Sequence, residues 1–260
     1  MSDICLSVRN LSKHYRGVKA VDGVSFDVMR GSITGLIGPN GSGKSTTIDC
    51  ISGFTSADCG EWRVDGRVLT GTSAHQHSAA GLVRTFQNVR CYESMSVLEN
   101  LRMAVVAKEG VGLWSAFLGS LRASAADEAA RQHGLELLEL IGLSAYAEAP
   151  SSVLSYGQRK LLSIASTMMS KPRLVILDEP VAGINPTMIL RVEDAIRKLN
   201  ASGVTILLCE HNMDLVMRLC DRIIVLANGQ LLASGTVDEI QADKNVLEAY
   251  LGPDHMRPTS

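Results

Sequence analysis

Two kinds of apolar spacing divide the chain. Within the first ninety residues, apolar and polar positions alternate with a period of two over 4–9 and 24–28, which predicts short β-strands. The pair Asp65-Gly66 joins residues 61–64 to 67–69 and is typical of a β-hairpin turn. A buried strand is predicted over 32–37, and a helix over 44–51 that ends before Gly53.

From residue 97 the spacing becomes helical, with helices predicted over 97–107, 122–141 and 156–169. The last third alternates between strand and helix. Its predicted strands are 174–177, 204–209 and 223–226, and its predicted helices are 187–200 and 213–220. Strands rich in Val, Ile and Leu, separated by helices, indicate βαβ units and a sheet covered on both faces. The sequence therefore predicts an α/β fold.

Composition narrows the class of protein. The 260 residues carry 25 Lys and Arg against 27 Asp and Glu, a net charge of −2, and 46% are hydrophobic. This balance excludes a disordered chain and argues against a protein whose main task is to grip a nucleic-acid backbone. No apolar run reaches the roughly 18–20 residues that cross a bilayer, and the N-terminus lacks a secretory pattern. We expect a cytoplasmic protein.

Residues 38–45 fit the phosphate-binding pattern G-x-x-x-x-G-K-[ST] between a predicted strand and a predicted helix. The glycines let successive backbone N–H groups face an anion, and the helix adds its positive end. Lys44 can reach the β- and γ-phosphates, and the Ser45 hydroxyl can ligate Mg²⁺. A plain glycine-rich turn is the alternative. The residues expected to bind the phosphates are Gly38, Pro39, Asn40, Gly41, Ser42, Gly43, Lys44, Ser45 and Thr46.

Polar residues follow two other predicted buried strands. Asp178 and Glu179 come at the end of strand 174–177, where open α/β sheets place their ligands. Asp178 is suited to hold a metal through water, and Glu179 to orient and deprotonate an attacking water. His211 follows strand 204–209, where an imidazole can hydrogen-bond a γ-phosphate.

The remaining candidate residues divide into a helix start and isolated side chains. Ser155 and Gln158 form a capping box at the start of helix 156–169, and Gly157 in the first turn makes that start a possible anion site. His75 and His77 resemble a metal pair, but their polar surroundings favour a solvated loop. The six cysteines form no C-x-x-C pair, and Cys50, Cys209 and Cys220 are expected in the core.

The pentapeptide Leu154–Gln158, between the phosphate loop and residues 174–180, resembles the signature of ATP-binding cassette (ABC) ATPases. The similarity covers about residues 4–252. It implies a P-loop NTPase core with an antiparallel β lobe (1–90 and 160–252), an inserted helical lobe (91–159) and a tail (253–260). In that family two cassettes pair head to tail, and each signature completes the partner's ATP site.

The resemblance also implies roles for individual residues. Tyr15 falls where the family stacks an aromatic ring on adenine, and Gln87 falls on the glutamine that touches Mg²⁺ and links to the membrane partner. The implied cofactors are ATP and Mg²⁺. The implied catalytic residues are Lys44, Gln87, Glu179 and His211; the implied metal-binding residues are Ser45, Gln87 and Asp178; the signature adds Ser155, Gly157 and Gln158 to the ATP-binding set.

Two positions depart from the common ABC pattern. Tyr156 replaces a glycine of the signature, and Asn185 stands where many members have Asp. With residues 81–90, 97–101 and 249–252, these features resemble the larger ATPase subunit of branched-chain amino acid importers. The resemblance implies permease subunits, a second ABC ATPase (the same chain or a sister) and, indirectly, a solute-binding protein as partners, and a position at the inner face of the plasma membrane. No nucleic-acid partner is expected.

Two other functions remain open at this point. An exporter or lipid-transport ATPase has similar motifs. An ABC ATPase acting on DNA or ribosomes is disfavoured by the low net charge and by the lack of a second cassette or coiled-coil insertion. The charge-free segment 110–121, with Trp114 and Phe117, fits either a surface covering the membrane subunits or ordinary packing in the helical lobe.

Overall fold

The computed structural model describes residues 3–85, 91–109 and 120–251. These residues form two compact units. Of the described residues, the first unit contains 3–84, 173–179 and 200–251, and the second contains 85, 91–109, 120–172 and 180–199. The predicted helical lobe, 91–159, falls inside the second unit, which also takes in 160–172 and 180–199. The division into functional lobes stays a prediction, and its tail, 253–260, lies outside the described residues.

A six-stranded mixed sheet forms the centre of the first unit, in the order β10-β9-β3-β8-β7-β6. Every residue of the three central strands is buried, so both faces of the sheet are covered there. All neighbours are parallel except β9 and β10, which pair antiparallel. The strands are β3 (Ile33–Ile37), β6 (Leu82–Arg84), β7 (Leu174–Asp178), β8 (Thr205–Cys209), β9 (Arg222–Ala227) and β10 (Gln230–Thr236).

A four-stranded antiparallel sheet, ordered β2-β1-β4-β5, belongs to the same unit. Its strands are β1 (Ile4–Tyr15), β2 (Val18–Met29), β4 (Cys59–Val64) and β5 (Arg67–Val68). Asp65 and Gly66 have φ of 50° and 79°, and they join β4 to β5 in the predicted hairpin. Leu6 and Phe26 of this sheet share one core with Leu36 and Leu207 of the mixed sheet. The two sheets therefore fold as one body.

Helices fill the rest of both units. In the first unit they are α1 (Lys44–Ile51), α2 (Ala74–Ala79), α7 (Met213–Leu219), α8 (Val237–Ala242) and α9 (Lys244–Leu251). The second unit holds α3 (Val97–Glu109), α4 (Ser120–Leu140), α5 (Tyr156–Met168) and most of α6 (Pro186–Ala201). Helix α4 comes close to α3 at Gly134, where a Cβ atom would lie 2.8 Å from Cδ1 of Leu98.

The predicted elements are confirmed, most with small changes in their ends, but β1 and β2 extend six residues beyond the predicted strands 4–9 and 24–28, to Tyr15 and back to Val18. Cys50, Cys209 and Cys220 are buried as expected. Five elements were missed: α2, β6, β10, α8 and α9. Four of them have a weak signal: β6 has three residues, α2 and α8 have six each, and β10 is a half-exposed edge strand without a clear period of two. Helix α9 has eight residues, so its length does not explain why it was missed.

The expectation of a solvated loop around His75 and His77 is wrong for His77. Residues 74–79 form α2, which begins with a capping box between Ser73 and Gln76. His77 is 1% exposed, and its Nε2 accepts a hydrogen bond from Nε1 of Trp62 at 3.1 Å. Its Nδ1 then carries the proton and donates to the Ser73 carbonyl at 2.8 Å. His75 is exposed.

His77 makes the stability of the fold depend on pH. Burial lowers the pKa of His77 below its ordinary value of 6.5. As pH falls below about 6.5, His77 binds a proton in the unfolded chain but not in the folded chain, so the free energy of unfolding decreases. Below this pH, the free energy of unfolding of the wild type should fall more steeply than that of His77→Gln, by up to about 1.4 kcal/mol per pH unit. Urea unfolding at pH 7.5 and 5.5 measures the difference.

His75→Gln is the matched control, because it removes an exposed histidine from the same helix. It should keep the wild-type dependence of stability on pH. Equal pH dependence in the wild type and in His77→Gln would contradict the assignment of a neutral, buried imidazole.

Candidate functional site

The phosphate-binding sequence forms the turn between β3 and α1. Gly41 and Gly43 have φ of 78° and 97°, a region that residues with a side chain rarely adopt. A Cβ atom on Gly43 would overlap the carbonyl oxygen of Ala20 in β2, whereas one on Gly41 would meet nothing within 4 Å. The turn is therefore pressed against β2 at one glycine and open at the other.

Lys44 is the first residue of α1, and its ammonium stays at this turn. Its Nζ donates hydrogen bonds to the carbonyl oxygens of Gly38 at 2.7 Å and Pro39 at 3.1 Å. The positive charge of Lys44 thus lies inside the loop that leads into the N-terminus of α1. Such an arrangement suits a phosphate group.

Two acids follow one another at the carboxyl end of β7. Asp178 is 5% exposed, and its Oδ2 accepts a hydrogen bond from Nη2 of Arg84 at 2.7 Å. Glu179 has φ of 47°, a strained value for a residue with a side chain, and its N–H donates to the Cys209 carbonyl at 2.9 Å. This bond to β8 holds the strained residue in place. Its side chain is 30% exposed, so its carboxylate meets solvent while that of Asp178 is buried.

The end of β8 adds a histidine beside Glu179. Glu210 is buried, and its Oε2 accepts hydrogen bonds from the backbone N–H groups of His211 and Asn212 at 3.1 and 3.3 Å. These bonds turn the chain into α7, and Nδ1 of His211 lies 3.7 Å from Oε1 of Glu179. Burial raises the pKa of the neighbouring Cys209 thiol to about 12, so this thiol stays neutral among the acids.

A cleft of about 530 Å³ on the first unit lies between the phosphate loop and Glu179. Lys44, Ser45 and Glu179 line it, together with the rest of residues 40–46. A cation, a hydroxyl and a carboxylate therefore face one space, which is the set needed to bind a triphosphate and to direct a water at it. Tyr15 stands at the end of β1 with 46% of its surface exposed, and Nζ of Lys13 lies 5.4 Å from its ring centroid.

The signature pentapeptide begins α5 in the second unit. The predicted capping box is present: Oγ of Ser155 accepts the Gln158 N–H at 3.3 Å, and Oε1 of Gln158 accepts the Ser155 N–H at 2.9 Å. A Cβ atom on Gly157 would lie 2.9 Å from Cγ of Met188, so this position is closely packed. Tyr156 is half exposed, and Lys160 places its Nζ 5.8 Å from the centre of that ring.

Two further positions named in the sequence analysis are Asn185 and Gln87. Asn185 Oδ1 accepts the backbone N–H of Met188 at 2.9 Å, so this residue caps the start of α6. An aspartate would accept the same bond, so the asparagine differs in charge and not in its local role. Gln87 lies outside the described residues.

Comparison with known proteins identifies the family. The sequence model described as "ABC transporter" matches residues 21–182. The chain belongs to the ABC transporter family. It is an ATP-binding cassette with the P-loop NTPase fold, and it is an ATPase. A second model, described as "Branched-chain amino acid ATP-binding cassette transporter", matches residues 230–255 of this cassette.

Curated relatives are similar over nearly the whole cassette. The chain is 37% identical over 253 residues to the high-affinity branched-chain amino acid transport ATP-binding protein BraF of Pseudomonas aeruginosa, with 97% of this chain and 99% of the relative covered. It is 39% identical over the same length to LivG of Escherichia coli K12, with equal coverage. A probable LivG of Archaeoglobus fulgidus is 39% identical over 247 residues, with 95% of each chain covered.

Solved structures agree with this assignment. The crystal structure of the ADP conformation of MJ1267, an ATP-binding cassette of an ABC transporter, has a TM-score of 0.84 at 34% identity. The match covers 97% of this chain and 100% of the MJ1267 chain. A nucleotide-free ATP-binding cassette has a TM-score of 0.81, also at 34% identity, and covers 96% and 99% of the two chains. Among the described residues of this cassette, no helix is both long enough and apolar enough to span a membrane.

The residues at the cleft of the cassette offer few protein ligands. They therefore suit Mg²⁺, which water and substrate also ligate, better than a metal that only protein side chains hold. The described part of the chain contains no cluster of three His, Cys, Asp or Glu side chains that could hold a metal. Ser45 lines the cleft and Asp178 ends β7, and both offer hard oxygen ligands. Mg²⁺ keeps several waters and binds through few protein oxygens plus substrate phosphates, so this donor set suits it.

Three polar residues at the site were missed by the sequence analysis. Lys19 and Asn228 line the cleft, and Arg84 binds Asp178. The Asn228-Gly229 pair is a recognisable hairpin signal between β9 and β10, and it would have placed a turn there. The sequence carries no signal for the contact of Arg84, which depends on the pairing of β6 with β7.

Gly43 of the phosphate loop and Gly66 of the β4–β5 turn allow a matched test. Gly43→Ala forces a Cβ atom onto the Ala20 carbonyl, and overpacking of this kind costs about 1–3 kcal/mol. We expect ATP affinity to fall about tenfold or more, because the loop must move. Gly66→Ala, in the turn between β4 and β5, has a similar positive φ and open space but lies outside the cleft, so it should leave ATP affinity nearly unchanged. Equal affinities of the two variants in a fluorescent-nucleotide titration would contradict the role of the Ala20 contact.

Proposed function

We propose that this ATPase energises a membrane importer for branched-chain or related amino acids and amides. The observation that carries the proposal is the 37–39% identity to BraF and LivG, with almost full coverage of both chains. The match of residues 230–255 to the branched-chain amino acid model supports the same substrate class. This stretch includes β10, α8 and α9, outside the residues matched by the general ABC transporter model.

The proposed chemistry assigns one task to each charged group. The loop 38–46 and Lys44 bind the phosphates, with Tyr15 stacked on adenine. Glu179 orients and deprotonates the attacking water, and its place on the wall of the cleft beside Lys44 and Ser45 supports this role. His211 donates a hydrogen bond to the γ-phosphate. Its Nδ1 lies 3.7 Å from Oε1 of Glu179, which supports a role for both side chains at the same phosphate. Gln87 completes the catalytic set by family resemblance.

Magnesium would be held by Ser45 directly, by Gln87, and by Asp178 through water. Bound there, Mg²⁺ would supply positive charge that offsets the negative charge developing on the phosphate oxygens. Ser155, Gly157 and Gln158 of one cassette would complete the ATP site of a second. Closing and reopening of this pair with ATP binding and hydrolysis would drive the membrane subunits.

The proposed partners follow from this function. They are integral permease subunits, a second ABC ATPase subunit and, indirectly, a solute-binding protein. The proposed location is peripheral, at the inner face of the plasma membrane.

Glu179→Gln tests the proposed base. The amide keeps the size and the backbone of Glu179 but cannot accept the proton of water, so ATP hydrolysis should fall by about 10²-fold or more. Binding of ATP, followed with a fluorescent analogue, should persist because the phosphate loop is unchanged. Hydrolysis at the wild-type rate would rule out Glu179 as the base.

Lys44→Ala removes the cation that is proposed to contact the phosphates. Unlike Glu179→Gln, it should therefore impair ATP binding itself. It should weaken nucleotide binding, and hydrolysis should fall as a consequence. If ATP affinity were unchanged in this variant, the proposed role of Lys44 would be wrong.

Transport is tested in cells that lack the gene for this chain. Uptake of radiolabelled leucine, isoleucine and valine should fall, and the wild-type gene but not the Glu179→Gln gene should restore it. The tagged chain should copurify with membrane permease subunits. Unchanged uptake, together with copurification with nucleic acid or ribosomes, would favour the alternative class of ABC ATPase.

A further inference from the structure

Arg84 connects the acid at the end of β7 to the helix that follows the phosphate loop. It is the last residue of β6, and the parallel pairing of β6 with β7 brings it beside Asp178. Its Nη2 donates to Oδ2 of Asp178 at 2.7 Å, and its Nη1 donates to Oδ1 of Asp49 in α1 at 2.5 Å. One guanidinium therefore holds two carboxylates from two different elements.

The surroundings of Arg84 fix the plane of its guanidinium. Nη1 also lies 3.3 Å from Oγ of Ser52, and the ring of Phe54 covers the group with its centre 5.7 Å from Cζ. Ser52 caps the C-terminal end of α1, where a positive charge interacts favourably with the helix dipole. The helix that carries Lys44 at one end thus binds Arg84 at the other.

Burial indicates that the cluster contributes more to orientation than to stability. The side chains of Arg84 and Asp178 are 11% and 6% exposed, and Nε of Arg84 is buried with no hydrogen-bond partner among the described residues. Desolvation of such a pair offsets much of its attraction, and a buried donor without a partner costs additional free energy. The gain lies in geometry, because a planar guanidinium fixes the direction of each carboxylate that it binds.

We propose that Arg84 is a positioning residue for the metal site: it holds Asp178 by Oδ2 and ties it to α1, so that this carboxylate and Ser45 keep one mutual geometry. This inference rests on the proposed role of Asp178 toward Mg²⁺. Partners that orient metal ligands typically contribute about 10–100-fold to metal affinity. Lysine cannot replace Arg84 here, because an ammonium lacks the planar fork that reaches both Asp49 and Asp178.

The positioning role and a purely electrostatic role predict opposite results. Loss of a positive charge beside a cation site would by itself strengthen metal binding. Positioning predicts weaker binding, both in Arg84→Met and in Arg84→Lys, which keeps the charge. The measurement is an EPR titration of the full-length protein with Mn²⁺ in the presence of a non-hydrolysable ATP analogue.

We expect Mn²⁺ to bind about tenfold more weakly or worse in both Arg84 variants. Analogue affinity without metal should remain within about twofold of the wild type, because that affinity depends on the phosphate loop. ATPase assays should then show a higher requirement for Mg²⁺. Wild-type Mn²⁺ affinity in Arg84→Lys, or tighter binding in Arg84→Met, would overturn the proposal.

Three controls separate the possible causes. Arg173→Lys removes another Arg–Asp contact of the same unit, the 2.8 Å pair with Asp65, and should leave Mn²⁺ affinity unchanged. Asp49→Asn weakens only the hold of α1 on Arg84 and should reduce Mn²⁺ affinity less than the Arg84 variants do. Circular dichroism and metal-free analogue binding show whether each variant is folded.

Asp178→Asn distinguishes failure of this inference from failure of the proposed function. If Asp178→Asn weakens Mn²⁺ binding and the Arg84 variants do not, only the role of Arg84 is wrong. If Asp178→Asn leaves Mn²⁺ binding unchanged, the proposed metal role of Asp178 is wrong, and the inference about Arg84 fails with it.

Discussion

Parallel pairing of β3, β8 and β7 decides where the charged groups of the cleft lie. The register sets Leu36 and Asp178 against the same residue, Cys209, so the three strands end at one edge of the sheet. Each strand is buried along its whole length, and polar residues can follow only where the strand stops. The phosphate loop, the two acids and His211 therefore meet at that edge, which is where open α/β sheets bind their ligands.

The cleft depends on backbone contacts as much as on its side chains. Gly43 lies against the Ala20 carbonyl, and the N–H of Gly229 donates to the Ser42 carbonyl at 3.1 Å. These contacts join the loop to the antiparallel sheet and to the β9–β10 turn. Glu179 keeps a strained φ because its N–H is bonded to β8. A proposed catalytic base held in this way loses little freedom when substrate binds, which favours catalysis.

Charged side chains with little exposure lie at the ends of three neighbouring strands, β6, β7 and β8. Asp178, Arg84 and Glu210 all have little exposure, and each binds a neighbouring strand end or helix end. Such groups are costly to bury and add little net stability. Their arrangement is therefore better explained by the need to orient the cleft than by the need to stabilise the sheet.

The sequence by itself determined the α/β class, most helices and strands, and the family. These follow from local patterns: continuous apolar runs, a glycine-rich loop before a helix, and a capping box at Ser155. The tertiary structure alone decided the contacts of Arg84 with Asp178 and the burial of His77 against Trp62. Both depend on residues far apart in the chain that strand pairing brings together, and no local period or motif carries that information.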